Sequence, residues 1–205
     1  TLATSSAASD VYKRQLKDGS VKQYSEETSV ISIAKDISEG LARNVISANF
    51  NDKVVEVNSM INEDGKLEFY TWDNDEGKSA FWHSSSHVMA QSIQELFPGV
   101  KLTIGPAINS GFYYDVDLGS HKISESDFDK IESRMLEICR EKHDFNLRSV
   151  SKKEAIKFYK EEDNDYKLEL INDLKDGEIT FCDHSNFTDL CKGGHIPNTS
   201  VSYTH

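Results

Sequence analysis

Leu16-Lys17-Asp18-Gly19-Ser20-Val21-Lys22-Gln23-Tyr24 decides how the first part of the chain folds. Asp-Gly is a strong two-residue hairpin signal, because glycine accepts the positive φ that a tight turn between strands demands. The stretch therefore reads as strand, turn, strand. Downstream, Ser29 stands where a helix N-cap belongs, and Val30, Ile33, Ala34 and Ile37 recur at i, i+3, i+4 and i+7. Val45 to Phe50, Val54 to Val57 and Lys66 to Thr71 follow as short strands, parted by turns at Asn51-Asp52 and Asp64-Gly65. Hairpin, helix and further strands in so short a span predict an α+β unit, a sheet with one helix packed across it.

Upstream of Leu16 the pattern stops. Residues 1–15 are rich in Ser, Ala and Thr and carry neither strand nor helix periodicity, so they read as a disordered leader, and the abrupt change at Leu16 suggests one foreign to the natural protein. On the other side, residues 73–79 are polar and include Gly77, the composition of a linker.

A second domain is expected over residues 80–205. Its first helix should run from about His83 to Phe97, with Val88, Met89, Ile93, Leu96 and Phe97 on the core face and Pro98-Gly99 as the stop. Lys101–Ile104 and Gly111–Asp117 read as strands split by Gly105-Pro106, and Asp127 to Lys142 as a longer helix. Ser151-Lys152-Lys153-Glu154 has the spacing of a capping box. The remainder, through Leu168–Ile171 and Ile179–Cys182, reads as strand-like.

Two pentapeptides carry the chemistry: His83-Ser84-Ser85-Ser86-His87 and Cys191-Lys192-Gly193-Gly194-His195. Each sets two metal-binding or proton-transferring side chains four apart, a spacing that on a helix stacks both on one face. Four of the chain's seven His and three Cys are spent on these two pairs. His83, His87, Cys191 and His195 form a chemically legitimate zinc set. The same residues equally suit a metal-free hydrolytic cleft, in which imidazoles hold water and move protons near neutral pH. The bland alternative makes them helix-face histidines and a buried small thiol. Gly193 and Gly194 let backbone approach a ligand closely, Asp189 could receive an ammonium group or cap a turn, and of Tyr113 and Tyr114 one ring should face the core and the other a cleft.

Composition narrows the field. With 205 residues and 37% apolar content the chain can build packed cores, and no apolar run approaches the roughly 20 residues that span a bilayer. Three cysteines without framework spacing favour reduced thiols and a cytoplasmic location. A net charge of -12 argues against holding nucleic acid mainly by electrostatics. Any grip on a nucleic acid must be local, with Arg140, Lys142, Lys192 and the Lys152, Lys153, Lys157, Lys160 run as candidates, although that run suits a solvated helix face.

The residues then point further. His83 to His87, Ile104-Gly105-Pro106, Gly111-Phe112-Tyr113-Tyr114-Asp115, Tyr166-Lys167 and Asp189 to His195, in that order and spacing, resemble the editing domain of bacterial threonyl-tRNA synthetases, and residues 16–72 resemble the TGS domain, a β-grasp fold that precedes it in that family. The resemblance covers about residues 16–205 and implies an α+β editing domain of the threonyl/alanyl second-additional-domain type. Its implied activity is hydrolysis of serine wrongly esterified to threonine tRNA. A second site is physically warranted there, because one methyl group is worth only about 10–200-fold in discrimination. By resemblance His83 and Lys167 would hold the hydrolytic water and stabilise charge, with His87, Cys191 and His195 completing the catalytic wall. Tyr114, Asp189, Gly193 and Gly194 would form the substrate pocket, Asp189 meeting the serine ammonium. No metal is expected in this part.

The family's ATP-dependent ligase core and its anticodon-binding part are expected beyond His205, and with them ATP, Mg, a core Zn and a homodimer interface. Two other readings compete: a zinc-dependent alanyl-type editing module, in which the four paired residues are metal ligands, and a non-catalytic TGS-containing module that binds tRNA ends without turnover.

Overall fold

The computed structural model describes residues 11–204. In the first domain the strands are β1 (Tyr12–Leu16), β2 (Val21–Tyr24), β3 (Thr28–Ser29), β4 (Ser47–Phe50), β5 (Lys53–Val55), β6 (Met60–Ile61) and β7 (Gly65–Tyr70), with helices α1 (Val30–Ile37) and α2 (Glu39–Asn44) inserted after β3. Five strands form one sheet in the order β2-β1-β7-β4-β5, in which only β1 and β7 run parallel, while β3 and β6 pair separately. Helix α1 lies across the sheet as its periodicity demands. Val30, Ile33 and Ala34 are fully buried against Ala48, Phe50, Val57 and Leu67, and Ser29 caps the helix by accepting from Ser32 N at 3.3 Å.

The sheet begins earlier than expected. Tyr12 to Gln15, expected to be leader, form β1 and pair with Val21 to Tyr24, while residues 1–10 of the expected leader lie outside the described residues. An apolar pattern misses this strand because its core-facing position is Arg14. That side chain is completely buried, and its guanidinium donates to the carbonyls of Ile61 (2.9 Å) and Glu63. A buried charge so partnered can occupy an inward position.

The expected linker is largely helix. Helix α3 runs Asp75–Leu96, absorbing five residues of the 73–79 stretch and opening with Asp75 and Glu76, which favour the positive end of the helix dipole. Gly77 is present for contact rather than looseness: a Cβ there would sit 2.0 Å from the carbonyl oxygen of Thr71. The domains also share a core. Ile46 of the first is fully buried among Ala80, Phe81, Val88, Ile138, Cys191 and Ile196 of the second, and Trp72 meets the Phe81 ring edge-on at 5.0 Å.

After α3 come β8 (Lys101–Leu102), β9 (Ala107–Ile108), β10 (Gly111–Phe112), β11 (Val116–Asp117), α4 (Glu125–Glu141), β12 (Asn146–Ser149), α5 (Lys152–Glu161), α6 (Asp165–Asn172), β13 (Thr180–His184), β14 (Phe187–Leu190) and α7 (Val201–Thr204). Strands β12-β13-β14 form an antiparallel sheet; β8 with β11 and β9 with β10 make two small ladders. The single strand expected over Gly111–Asp117 is therefore two fragments. Between them Tyr114 turns inward against Gly105, where a Cβ would lie 2.1 Å from its ring. Leu168–Ile171 is helical, not strand-like: Asn164 caps α6 by accepting from Lys167 N at 3.1 Å and itself donates to Leu102 O at 2.9 Å. Half of the capping box at Ser151 forms. Ser151 Oγ accepts from Glu154 N at 3.2 Å, but the Glu154 carboxylate is taken by Arg148 at 3.1 Å. The whole is α+β, as expected.

Candidate functional site

Helix α3 places His83 and His87 one turn apart on one face. The serines between them serve packing: Ser84, Ser85 and Ser86 are buried, and their hydroxyls return to carbonyls of the preceding turn or, for Ser86, to Gly105 O at 2.7 Å. Ser84 Oγ also accepts from Ile196 N at 3.0 Å, which fastens the second pentapeptide to the first.

That second pentapeptide is no helix. It leaves β14 and folds back through two successive left-handed residues, Gly193 (φ 95°) and Gly194 (φ 87°), so that Cys191 and His195 converge across a tight loop. His83 Nε2 lies 3.2 Å from His87 Nε2 and 3.3 Å from Cys191 Sγ, and His195 Nε2 lies 3.2 Å from the same sulfur. His83 is half-buried; the other three are buried.

A second cluster adjoins this one. Asp189, 3% exposed at the end of β14, takes Lys167 Nζ on Oδ1 and Tyr114 Oη on Oδ2, with Leu190 N at 2.8 Å and the Tyr159 hydroxyl at 3.5 Å. His87 Nδ1 faces Asp189 Oδ2 at 3.3 Å, a charge contact without hydrogen-bond alignment. Lys167 is 2% exposed. Asp189 thus joins the two halves of the site.

Burial works against every charge here, and the neighbours outweigh it. For Cys191 burial raises the thiol pKa, yet His87, His195 and His83 pull it well below the usual value. His195 and His87 are held above theirs despite burial, His195 by Cys182, Cys191 and Glu56, and His87 by Cys191 and Asp189. Asp189 is likewise held low by Lys167 and His87. Burial and Asp189 together raise Tyr114, keeping its hydroxyl a donor. The site sets a thiol drawn toward its ionised form and a carboxylate among three imidazoles and the Lys167 side chain.

A cleft of about 1040 Å³ opens beside these groups, lined by His83, His87, Lys167, Asp189, Cys191, Gly193 and Gly194 together with Ile104, Pro106 and, from the first domain, Val54 and Tyr70. His195 and Tyr114 stand behind this wall, which brings all nine residues singled out in the sequence together. Tyr113 is 43% exposed, so its ring belongs to solvent, while Tyr114 serves both core and site.

The three Nε2 atoms and the sulfur lie within 4.8 Å of one another. A tetrahedral zinc with ligands at about 2.0–2.3 Å implies donor separations of about 3.3–3.7 Å; three of the six contacts, at 3.2–3.3 Å, are of that size, while the set as a whole spreads to 4.8 Å.

Sequence reasoning missed Glu56 and Tyr159. Glu56, from the first domain, accepts from Gly194 N, His195 N and His195 Nδ1, each at 3.0 Å. Its signal was an acidic residue inside the apolar run Val54-Val55-Glu56-Val57. Tyr159 is buried on the inner face of α5, and helical spacing shows a buried ring without showing that its hydroxyl reaches Asp189.

Residues 12–71 match the TGS domain family, and a TGS domain is the class of module that the first sheet and helix define. The whole pattern matches more specifically. The chain is 60% identical over 189 residues to the threonine--tRNA ligase of Flavobacterium psychrophilum, 44% over 187 residues to that of Cytophaga hutchinsonii and 45% over 188 residues to that of Clostridioides difficile. These alignments take in 91–92% of this chain, which spans 29% of the length of each relative. Both findings fit an N-terminal fragment of a threonyl-tRNA synthetase, as the sequence resemblance implied. Among the described residues no helix is long and apolar enough to cross a membrane.

Proposed function

We propose that the cleft hydrolyses serine from mischarged threonine tRNA, proofreading for an aminoacyl-tRNA synthetase. The observation that carries this reading is the position of His83. It is the half-buried ring of four otherwise buried groups, its Nε2 within 3.3 Å of both His87 and Cys191, and it lines the cleft together with Lys167. His83 can therefore hold a water and take its proton, with the Cys191 sulfur 3.3 Å away to stabilise the imidazolium that results. Lys167 supplies positive charge for the oxygen that becomes negative when the ester carbonyl is attacked. Asp189 keeps that ammonium in place, and its Oδ2, shared by Tyr114 and His87, is the acceptor a serine ammonium would reach. Cys191 and His195 complete the wall, and Gly193 and Gly194 admit the acceptor end of the tRNA. The longer protein's ATP-dependent threonylation, with its Mg and Zn, and its dimer belong to the same proposal, as does a cytoplasmic location.

The test is deacylation of Ser-tRNA(Thr) against Thr-tRNA(Thr). Hydrolysis of the serine ester, spared threonine ester, and loss of at least about 100-fold in His83→Ala are expected; unimpaired rates in both His83→Ala and Cys191→Ala refute the assignment. The donor spacing favours a second reading, in which His83, His87, Cys191 and His195 hold zinc. With all four as ligands the tetrahedral shell would be closed, so a bound zinc would act as a Lewis acid on a substrate oxygen only where that oxygen came in as a fifth ligand. Stoichiometric zinc in purified protein, lost in His87→Ala, decides for it.

A further inference from the structure

We infer that Glu56, a residue of the TGS domain, is a positioning residue for the cleft of the second domain, holding His195 in the orientation that turns its Nε2 to Cys191. For its activity arm this rests on the proofreading reading.

Glu56 is 8% exposed and 139 residues from His195 in sequence. A buried carboxylate is costly unless fully hydrogen-bonded, and this one finds its partners in a single loop. Oε1 accepts from Gly194 N and His195 Nδ1, and Oε2 accepts from His195 N, all at 3.0 Å. The loop is shaped for it. Two consecutive left-handed glycines turn successive N–H groups to one side, making a small anion-binding concavity, and a Cβ on Gly193 would come within 3.2 Å of Glu56 Oε1.

The chemical consequence lies in which ring nitrogen is committed. With Nδ1–H donating to Glu56, the His195 ring is fixed in rotation and Nε2 is presented to Cys191 Sγ at 3.2 Å. Thiol, imidazole and carboxylate then stand in line, the arrangement by which an acid orients a base toward its partner. The other group near Nδ1, Cys182 Sγ at 3.7 Å, is a sulfur and so a weaker acceptor than the carboxylate at 3.0 Å. Because His83 touches the same sulfur, a His195 that rotates also loosens the group proposed to hold water.

Among the described residues, no carboxylate of the second domain is within hydrogen-bond reach of the His195 ring. The first domain is on this account part of the catalytic architecture.

The experiment uses the full 205-residue chain carrying Glu56→Ala or Glu56→Gln. Deacylation of Ser-tRNA(Thr) is expected to lose about 10–100-fold in kcat with KM within about twofold in Glu56→Ala. Glu56→Gln, whose oxygen can still accept from Nδ1, should recover part of that loss. Independently of any activity, nitrogen-15 spectra of the histidine rings should show a protected, downfield Nδ1–H resonance for His195 in the parent chain, retained in Glu56→Gln and lost in Glu56→Ala. Wild-type kcat in Glu56→Ala overturns the inference, as does an Nδ1–H resonance unchanged by it. If Glu56→Ala does not fold, a Glu56→Gln chain with neither the resonance nor partial activity overturns it too. Should the parent chain not hydrolyse Ser-tRNA(Thr), the proofreading reading fails while the ring spectra still decide the role of Glu56.

Discussion

Replacing Asp189 by Asn strips the negative charge from a buried pair and leaves the Lys167 ammonium stranded. Both side chains are almost wholly withdrawn from water, 2% exposed for Lys167 and 4% for Asp189. Removing one partner of such a pair costs about 3–5 kcal/mol, since the remaining charge keeps its desolvation penalty and loses its compensation. Against a typical total of about 5–15 kcal/mol that is a large share. With a urea slope of about 2 kcal/mol per M, the midpoint should fall by about 1.5–2.5 M. Urea titration followed by circular dichroism and by the fluorescence of Trp72 and Trp82 measures it. The double variant Asp189→Asn with Lys167→Met removes the stranded charge as well, and should recover at least half of the loss. A shift equivalent to less than about 1 kcal/mol in Asp189→Asn, or a double variant no better than the sum of its single changes, would refute the argument that a compensated charge pair organises the floor of the cleft.

Gly77→Ala should lower stability by at least about 2 kcal/mol in thermal denaturation although alanine is the better helix former, because its Cβ would meet the Thr71 carbonyl. His184 is pushed down to about 3 by burial, with the His87, His195 and His143 charges adding to it. Its depressed folded-state value means the unfolded chain takes the proton first, so stability is complete above about pH 6.5 and falls as pH drops toward 3. His184→Phe, placed beside Phe145 and Phe187, should flatten that part of the pH–stability curve by roughly 4 kcal/mol; an unchanged slope between pH 6.5 and 4 counts against it. Cys182, pushed up to about 11 chiefly by burial, should resist iodoacetamide at pH 8 in the folded chain and react once urea unfolds it, as peptide mapping would show.

What the sequence revealed and what it hid divide along a physical line. Local periodicity exposed α1, because Val30, Ile33 and Ala34 repeat at helical spacing and pack into one core. The two pentapeptides were legible because chemistry-bearing residues were concentrated in them. The misses arose where a polar residue took an interior place through partners distant in sequence. Arg14 concealed β1 because its donors end on Ile61 and Glu63. Asn164 concealed the start of α6, since a cap is recognised by its bond and not by its identity. Gly77 resembled flexibility but marks a close approach. Glu56 was hidden most deeply, because its three donors lie at the far end of the chain.

The placement of Ile46 among side chains of the second domain bears on how such proteins can be recombined. A chimaera that joins a foreign TGS domain to this chain at residue 72 would look conservative on a domain map. It would nonetheless import whatever side chain that donor carries at the Ile46 position, leaving either a void or an overfilled core around Ala80, Phe81 and Val88. The seam visible in sequence is therefore not the seam at which the protein can be cut. Successful grafts should be those that inherit the residue at 46 together with the wall it fills.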